Sequence, residues 1–417
     1  MQSNSSNHQL IYLFMSSFTI LFVGMGLFPL LPLYAAHHGA TTAMIGIYFA
    51  LVYIASALAP LFTSWAARKM GRRVLFISAA AAGVPALALM GVASAFWQVI
   101  ALTAFVWFVG GVDLTLINIY TGMYTRDDER GKIFSLLALS APLGALIGGS
   151  VIGPLVTWQG YAFMFVFIGG LWGLVPLIGL FGIREPAVQI NDLQKAGSDR
   201  SRRHAEPAAE SAGKLGGQPF LIVLLVSLLA STSISVTRLG TSLAMDSQQF
   251  SAAAVASTAT ISGLVAIPAT WLIGVLSDRL GHRRFLMLGF GLAAGGAVLL
   301  STAHNLALYW LASSLILVAF NVSNAIGAAL VTNLLPASRL DSGLSLLSSV
   351  NSMAGIVSYA STGVLLAVLG PAVLFLAVAI FPLAGIGLLK LEHQPHREPA
   401  GQQSLAPVAY QDCPTCA

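Results

Sequence analysis

The chain has 417 residues, of which 57% are hydrophobic and only 8% are charged, and its mean hydropathy is +0.83. A soluble domain carries about 25% charged residues, so this composition excludes a water-soluble protein and indicates that most of the surface faces lipid. The apolar runs are continuous and not alternating, which excludes a transmembrane β-barrel. The formal net charge of +5 does not indicate nucleic-acid binding, because the basic residues follow a membrane topology.

Twelve apolar segments are each long enough to cross a bilayer, which requires about 20 helical residues. We name them spans 1 to 12, and their predicted positions are 10–34, 43–66, 74–95, 97–122, 133–156, 161–182, 219–242, 252–276, 285–303, 306–332, 343–367 and 371–390. The predicted fold class is therefore an all-α polytopic membrane protein with twelve transmembrane helices in two pseudo-symmetric halves of six. The predicted parts are a first half (1–183), a cytoplasmic linker (184–218), a second half (219–391) and a disordered cytoplasmic tail (392–417).

Lysine and arginine indicate the orientation of the chain. The predicted loops on the side of both termini contain them, and the predicted loops on the other side contain none. By the positive-inside rule, both termini are predicted to be cytoplasmic and the protein to lie in the inner membrane of a bacterium. Arg238 is the exception, because it falls inside span 7.

The two halves repeat one another at a constant offset of about 210 residues, read directly from the sequence. This offset aligns Gly71 with Gly281, Ser135-Leu136-Leu137 with Ser345-Leu346-Leu347, Gly153 with Gly363, and Gly160 with Gly370. Internal repeats of this kind are typical of secondary transporters.

A short motif stands between spans 8 and 9, where the chain reads Gly274-Val-Leu-Ser-Asp278-Arg279-Leu-Gly281-His282-Arg283-Arg284. It resembles the signature of the major facilitator superfamily, Gly-x-x-x-Asp-x-x-Gly-Arg-Arg/Lys. The equivalent loop between spans 2 and 3 keeps Gly71, Arg72 and Arg73 but has Arg68 where the family has Asp. The resemblance covers essentially the whole chain and is greatest to the bacterial drug and metabolite exporters.

The resemblance implies that this motif forms an inner gate. Asp278 would accept hydrogen bonds at the positive N-terminus of a helix in the other half. In the first half the charges would be exchanged, so that Arg68 pairs with Asp341 at the start of span 11. The alternative is that the arginines are topology signals and Asp341 is a helix cap.

Span 5 carries a run of small residues and prolines. Pro142, Gly144, Gly148, Gly149, Gly153 and Pro154 resemble the glycine-proline motif of the superfamily's antiporters. Small residues at four-residue spacing also allow close helix packing, and that alone explains the run.

Ionisable residues within membrane spans are costly and are functional candidates by default. Asp113 lies near the middle of span 4 and is the candidate for proton coupling. Arg238 is a candidate for binding an anionic substrate group. The alternatives are that Asp113 only accepts an interhelical hydrogen bond and that Arg238 extends its charge towards the membrane surface.

The resemblance implies that spans 1, 4, 7 and 10 line a central cavity. Asn321 and Asn324 of span 10 would then share one water-filled space with Asp113 and Arg238, and Trp107 and Phe108 would supply aromatic walls. Helix-to-helix hydrogen bonding is the alternative for the asparagines, and lipid contact is the alternative for the aromatic residues.

His393, His396, Cys413 and Cys416 in the tail are four possible zinc ligands. The segment between them has two prolines and little apolar content, so we expect no metal site and no cofactor. No nucleotide-binding loop or catalytic motif is visible, which argues against an ATP-driven pump and against an enzyme.

These observations predict a secondary active transporter that moves a small organic solute by alternating access. Proton-coupled efflux of a drug-like compound or metabolite is the first hypothesis. The alternatives are a proton-coupled symporter that imports an organic anion or sugar, and a lipid flippase. The expected partners are the solute, the proton and the lipid bilayer, and the chain is expected to act as a monomer.

Overall fold

The computed structural model describes residues 2–125, 130–184, 217–335 and 340–391. Side chains are described within these ranges except at 2–7, 130–132, 270, 274–275, 277–280, 282, 328–329, 332–333, 340–341 and 391. Most of the predicted linker and all of the predicted tail, with its histidines and cysteines, lie outside the described residues. The linker and tail boundaries therefore stay predictions.

The regular structure of the described residues is α-helical. The helices are α1 Gln2–Leu27, α2 Leu31–His37, α3 Thr42–Met70, α4 Arg72–Met90, α5 Phe96–Tyr124, α6 Arg130–Ala138, α7 Ser140–Trp172, α8 Leu174–Phe181, α9 Gln218–Ser247, α10 Ala252–Leu280, α11 His282–Ser301, α12 Leu306–Leu334 and α13 Leu340–Leu391. Span 1 consists of α1 and α2, separated by a turn that precedes Pro32. Several helices are longer than their predicted spans, and α1 begins eight residues before the predicted start of span 1.

Ten helical stretches in the described part are long and apolar enough to cross a membrane. Two of them, Ile133–Phe181 and Ser342–Lys390, have 49 residues each. That is about twice the length that a bilayer requires. Each has a residue with non-helical backbone angles inside it, Gly160 in the first and Gly370 in the second. Each therefore provides two spans, and the prediction of twelve spans in two halves is confirmed.

The offset of 210 residues also relates the backbone conformations of the two halves. Among the described residues, the positive φ angles form three pairs at this offset: Gly39 and Gln249 (81° and 61°), Gly71 and Gly281 (83° and 97°), and Gly160 and Gly370 (78° and 74°). The last two pairs were aligned from the sequence. A positive φ is readily accessible to glycine and unfavourable for other residues, so these glycines let the chain reverse sharply between spans.

Side-chain hydrogen bonds repeat at the same offset. His38 Nε2 lies 2.9 Å from the carbonyl oxygen of Ala93, and Gln248 Nε2 donates to the carbonyl oxygen of Ala303 at 3.2 Å. Both bonds join the turn after the first span of a half to the turn after its third span. The two halves therefore share loop structure at the end of the bundle opposite Gln2 and Lys390, which we call the distal end. The other end is the proximal end.

The halves contact each other through spans 2 and 11 and through spans 5 and 8. Glycines allow this contact at the distal end. A Cβ atom added to Gly363 of span 11 would lie 2.2 Å from the carbonyl oxygen of Thr42 and 3.0 Å from the Cα atom of Gly46, both at the start of span 2. No larger residue fits at Gly363 without moving the backbones apart.

The glycines of span 5 pack against two different helices, one on each of two faces. Gly144 and Gly148 lie against the backbone of span 1, and Gly149 and Gly153 lie against span 8 of the other half. Close packing therefore explains these positions without an additional role. Span 5 is consequently in direct contact both with span 1 and with the second half.

Candidate substrate cavity

A cavity of about 200 Å³ is lined by residues of both halves, most of them from the first half. Spans 1, 2, 4, 6, 7 and 10 contribute to its wall. The wall is mostly apolar and aromatic, and its residues include Met25, Phe28, Tyr53, Trp107, Gly110, Gly111, Leu114, Trp172, Arg238 and Phe320. Trp107 was predicted to line this cavity from the sequence, whereas Phe28, Tyr53 and Phe320 were not singled out for it.

Arg238 is the charged residue of this wall. Its guanidinium carbon lies 4.4 Å from the ring centroid of Phe28 in span 1 and 5.5 Å from that of Phe320 in span 10. Its Nη2 atom lies 3.8 Å from the sulfur of Met25. A guanidinium over aromatic faces is stabilised by cation–π attraction, which is worth about 2 kcal/mol when the site is desolvated.

The contacts of Arg238 with the described residues include rings, a thioether and the nearby Tyr359, and none of these is a carboxylate. The cation is therefore held in place by neutral groups, and the N–H donors that are not directed at Met25 can bind a ligand. A guanidinium offers five donors in a planar fork that fits a carboxylate or phosphate. The arrangement can bind an anionic group beside an apolar or aromatic body.

A second, smaller cavity of about 70 Å³ lies on another side of Arg238. It is formed by spans 1, 5, 7, 8 and 10 and has a more polar wall than the first. Its hydroxyl-bearing residues are Thr241, Ser242, Thr258, Ser262 and Ser313. Arg238, Met25 and Phe28 belong to the walls of both cavities.

Asp113 is fully buried in span 4, and neither of its carboxylate oxygens has a hydrogen-bond partner among the described residues. It follows the cavity-lining Gly110 and Gly111 and precedes Leu114, but it is not itself part of the cavity wall. An ionised carboxylate buried without a partner is strongly unfavourable. This position is therefore suited to a neutral, protonated carboxyl group.

The two asparagines predicted in span 10 lie apart from this arrangement. Asn324 is exposed, and its side chain donates to the carbonyl oxygen of Phe320 in its own helix at 3.0 Å. Asn321 is partly buried, and neither asparagine belongs to the wall of either cavity. Phe108 contacts Phe62 of span 2, with the ring centroids 5.1 Å apart.

The residues of the predicted inner gate are described only in part. Arg73 donates to the carbonyl oxygen of Leu180 at 2.7 Å and so stabilises the C-terminal end of span 6. Arg72 contacts the sulfur of Met123 at 3.2 Å, and Arg68 is exposed. Of the second motif, Arg283 is partly buried and Arg284 is exposed. The side chains of Asp278 and Asp341 and the environment of Gly274 are outside the description, so both gate contacts stay predictions.

A cluster of aromatic residues lies beside the central cavity, in the distal half of spans 1, 2 and 11. Tyr359 of span 11 donates to the hydroxyl of Tyr53 of span 2 at 3.2 Å. Its ring also contacts those of Phe28 and Phe49, with centroids 6.3 Å and 5.8 Å apart. Phe28 therefore contacts both Tyr359 of this cluster and the guanidinium group of Arg238. No sequence pattern identified these residues, because single aromatic residues in apolar spans are common.

Comparison with known proteins decides the family. A model described as Major Facilitator Superfamily matches residues 13–238 and 220–411, which together cover most of the chain. The chain belongs to the major facilitator superfamily. This family consists of membrane transporters and not of enzymes, and the ten membrane-spanning stretches of the described residues agree with a multi-pass member of it.

The relatives include efflux proteins of bacteria. The chain is 26% identical over 269 residues to multidrug resistance protein MdtG of Serratia proteamaculans (strain 568), with 62% of this chain and 63% of that relative covered. It is 26% identical over 294 residues to the multi-drug resistance efflux pump PmrA homolog of Lactococcus lactis, with 66% and 69% covered. The aligned region spans just under two thirds of the length of MdtG. The predicted resemblance to the exporter branch is confirmed.

The fold is shared with solved transporters of much lower sequence identity. A crystal structure of an auto-inhibited peptide transporter of the POT family superposes with a TM-score of 0.72 at 14% identity, covering 93% of this chain and 98% of that one. Both halves of the chain therefore adopt the arrangement found in solved transporters of this type.

Proposed function

We propose that this transporter exports amphiphilic organic anions through its central cavity by alternating access, coupled to protons. The observation that carries the proposal is the position of Arg238, a cation held between Phe28 and Phe320 with no carboxylate among its described contacts. A substrate that brings its own negative charge would neutralise this partly buried cation, and a neutral substrate would not.

The size and chemistry of the cavity define the rest of the substrate. A wall of aromatic and aliphatic side chains with one charged group favours an apolar body with one polar end. Trp107 and Phe320 are placed to contact a ring of the substrate. The proposal therefore names aromatic or branched aliphatic carboxylic acids as the substrate class.

Export and proton coupling rest on different observations. The relatives named as multidrug resistance and efflux proteins support export. The buried, unpartnered carboxyl group of Asp113 supports proton coupling. In this proposal Asp113 is protonated in the conformation described here and releases its proton when the halves rearrange and water reaches it.

The test is uptake of a radiolabelled aromatic acid, such as 1-naphthoate, into inverted membrane vesicles with an acidic interior. Proton-coupled export predicts accumulation that disappears when the pH gradient is abolished. Vesicles containing Arg238→Gln at equal expression are the control and should not accumulate the acid. Equal uptake by vesicles that lack the protein would contradict the proposal.

Proton-coupled import of an organic anion is the second candidate, because the position of Arg238 favours an anion in either direction of transport. The same vesicles discriminate between the two. A symporter would expel the preloaded acid from inverted vesicles with an acidic interior and would accumulate it in right-side-out vesicles in an acidic medium.

A lipid flippase is favoured by a different feature. An apolar groove of about 350 Å³ lies at the proximal end, and Leu10 and Phe14 of span 1, Thr121 of span 4 and Leu136 of span 5 line it. Flippase activity predicts that fluorescent phospholipids change leaflet in proteoliposomes. The proposed export of small acids predicts no such movement.

Orientation and oligomeric state belong to the same proposal. We place both termini in the cytoplasm, because the basic residues are on their side of the membrane. We also propose that a monomer suffices, since both cavities are formed within one chain. A reporter that is active only in the periplasm, fused after Lys390, should remain inactive, and a monomer purified in detergent should bind the acid.

A further inference from the structure

We infer that the smaller cavity beside Arg238 is a second substrate subsite, which recognises an O–H or N–H group next to the anionic group of the substrate. The inference rests on the proposed function and adds to it a hydrogen-bonding requirement. It would make α-hydroxy acids and N-acylated amino acids with an apolar side chain the preferred substrates, ahead of simple carboxylic acids.

The first step in the argument is the shared wall. Arg238, Met25 and Phe28 line both cavities, so a ligand group bound to the guanidinium is adjacent to both spaces. The larger cavity has an apolar and aromatic wall, and the smaller one has five hydroxyl-bearing side chains. An anionic group at Arg238 would thus have an apolar surface on one side and hydroxyls on the other.

The second step concerns what the hydroxyls offer. Thr241 donates to the carbonyl oxygen of Thr237 at 2.7 Å, Thr258 to that of Val255 at 2.7 Å, and Ser262 to that of Thr258 at 2.5 Å. Because the single hydroxyl hydrogen of each residue is used within its own helix, its oxygen remains as an acceptor. Three residues with hydroxyl acceptors therefore belong to the wall of a cavity whose charged group, Arg238, is purely a donor.

The third step is complementarity. A carboxylate alone has only acceptors, so it satisfies Arg238 and leaves these hydroxyl oxygens without a donor. A ligand with an O–H or N–H group beside its carboxylate can accept hydrogen bonds from Arg238 and also donate one to these hydroxyl oxygens. Buried acceptors that stay unpaired are unfavourable, so a site of this kind discriminates between the two ligands.

The fourth step is size. The smaller cavity holds about 70 Å³, and a water molecule in the liquid takes up about 30 Å³. The larger cavity, at about 200 Å³, is nearly three times as large and has the aromatic wall. The inference therefore places the ring of the substrate in the larger cavity and the small polar substituent in the smaller one.

The experiment uses the purified full-length protein in detergent and two acids that differ by one hydroxyl, 3-phenyllactate and 3-phenylpropionate. Equilibrium binding is measured for the wild type, for Thr241→Val and for Thr258→Val, which keep the side-chain shape and remove the hydroxyl. Thr115→Val is the matched control. Thr115 makes the same kind of bond, to the carbonyl oxygen of Gly111 at 2.7 Å, and lines neither cavity.

We expect the wild type to prefer 3-phenyllactate by about fivefold, the effect of one neutral hydrogen bond. The preference should fall towards one in Thr241→Val or Thr258→Val and remain in Thr115→Val. A wild type that binds both acids equally overturns the subsite, and so do cavity variants that weaken both acids by the same factor. If neither acid binds, or if Arg238→Gln binds both as tightly as the wild type, the proposed function fails as well.

Discussion

The hydroxyl of Tyr359 in span 11 donates to the hydroxyl of Tyr53 in span 2 at 3.2 Å, and this bond joins the two halves of the transporter. The two rings are in contact, with centroids 4.5 Å apart. Tyr53 also lines the central cavity. This contact lies beside the cavity, in the distal half of spans 2 and 11, and it must break if the halves separate at the distal end.

We predict that Tyr359→Phe favours the conformation that is open at the distal end. The hydrogen bond of Tyr359 with Ser235 lies within the second half, so the bond to Tyr53 is the one that joins the halves. Loss of this neutral hydrogen bond, worth about 1 kcal/mol, would shift the equilibrium by about fivefold. The measurement uses a single cysteine at position 25, in the cavity wall, in a background without Cys413 and Cys416. Labelling of Met25→Cys by a membrane-impermeant maleimide added to the distal side should become about five times faster.

Tyr309→Phe is the control for this prediction. Tyr309 accepts a hydrogen bond from Gln248 at 2.9 Å, and both residues belong to the second half, so its loss should not change labelling at position 25. A double variant of Tyr53 and Tyr359 to Phe should behave like either single variant. Additive effects of the two substitutions would show that the bond between them is not the gate.

Arg238 should discriminate ligands by charge. We predict that Arg238→Ala weakens binding of 3-phenylpropionate at least tenfold, because a hydrogen bond to a charged group is worth about 1.5–3 kcal/mol. Binding of the neutral amide of the same acid should change little. Isothermal titration of both ligands against the purified protein provides the measurement.

Arg238→Lys tests whether charge alone is enough. Lysine keeps the charge but lacks the planar fork that lies against Phe28 and Phe320. We expect affinity between those of the wild type and Arg238→Ala. An equal loss for the acid and its amide in Arg238→Ala would instead indicate collapse of the cavity wall.

Asp113 should be required for coupling but not for movement of the substrate. Asp113→Asn keeps the shape of the side chain and cannot release a proton. We predict that it abolishes accumulation driven by a pH gradient in proteoliposomes. Exchange of labelled for unlabelled substrate, which needs no net proton movement, should continue.

Asp246→Asn is the matched control, because Asp246 lies near the distal end of α9 and is only partly buried. It should retain both accumulation and exchange. Accumulation at the wild-type rate in Asp113→Asn would remove Asp113 from the coupling mechanism. Loss of both activities with normal folding would indicate a purely structural role.

The fold was largely predictable because its signals are local and repeated. Apolar length gives the number of spans, and the constant offset gives the two halves. The sequence also predicted the reversals at Gly160 and Gly370, since both are glycines at equivalent positions. It did not predict the third equivalent pair, Gly39 and Gln249, because glutamine gives no sign of a positive φ.

Two residues of the cavity wall, Arg238 and Trp107, were predicted from the sequence. Arg238 stands out in an apolar span, because a charge there has a large energetic cost. Its partners Phe28 and Phe320 come from spans 1 and 10, and only the crossing of these spans brings them together. The smaller cavity could not be predicted either, because its wall combines residues of five spans. Its hydroxyl residues also gave no signal, since hydroxyl side chains in transmembrane helices usually bond to their own backbone.

The last prediction concerns Gln249, the non-glycine residue with a positive φ among the described residues. Its equivalent in the first half is Gly39, and both stand in the turn after the first span of their half. A left-handed conformation costs a residue with a side chain about 1–2 kcal/mol. Glycine avoids that cost but loses somewhat more chain entropy on folding. We therefore expect Gln249→Gly to raise the apparent Tm of the detergent-purified protein.

Two further variants separate backbone strain from side-chain effects. The side chain of Gln249 makes only a long hydrogen bond of 3.4 Å to the carbonyl oxygen of Asp246, so Gln249→Ala should leave the apparent Tm nearly unchanged. Gly39→Ala introduces the same strain into the first half and should lower it, since an added Cβ atom meets no neighbour there and only the backbone angle is unfavourable. If the apparent Tm of Gln249→Gly falls, chain entropy outweighs the backbone strain at this turn. If the apparent Tm of Gln249→Ala rises as much as that of Gln249→Gly, the effect comes from the side chain and not from the backbone.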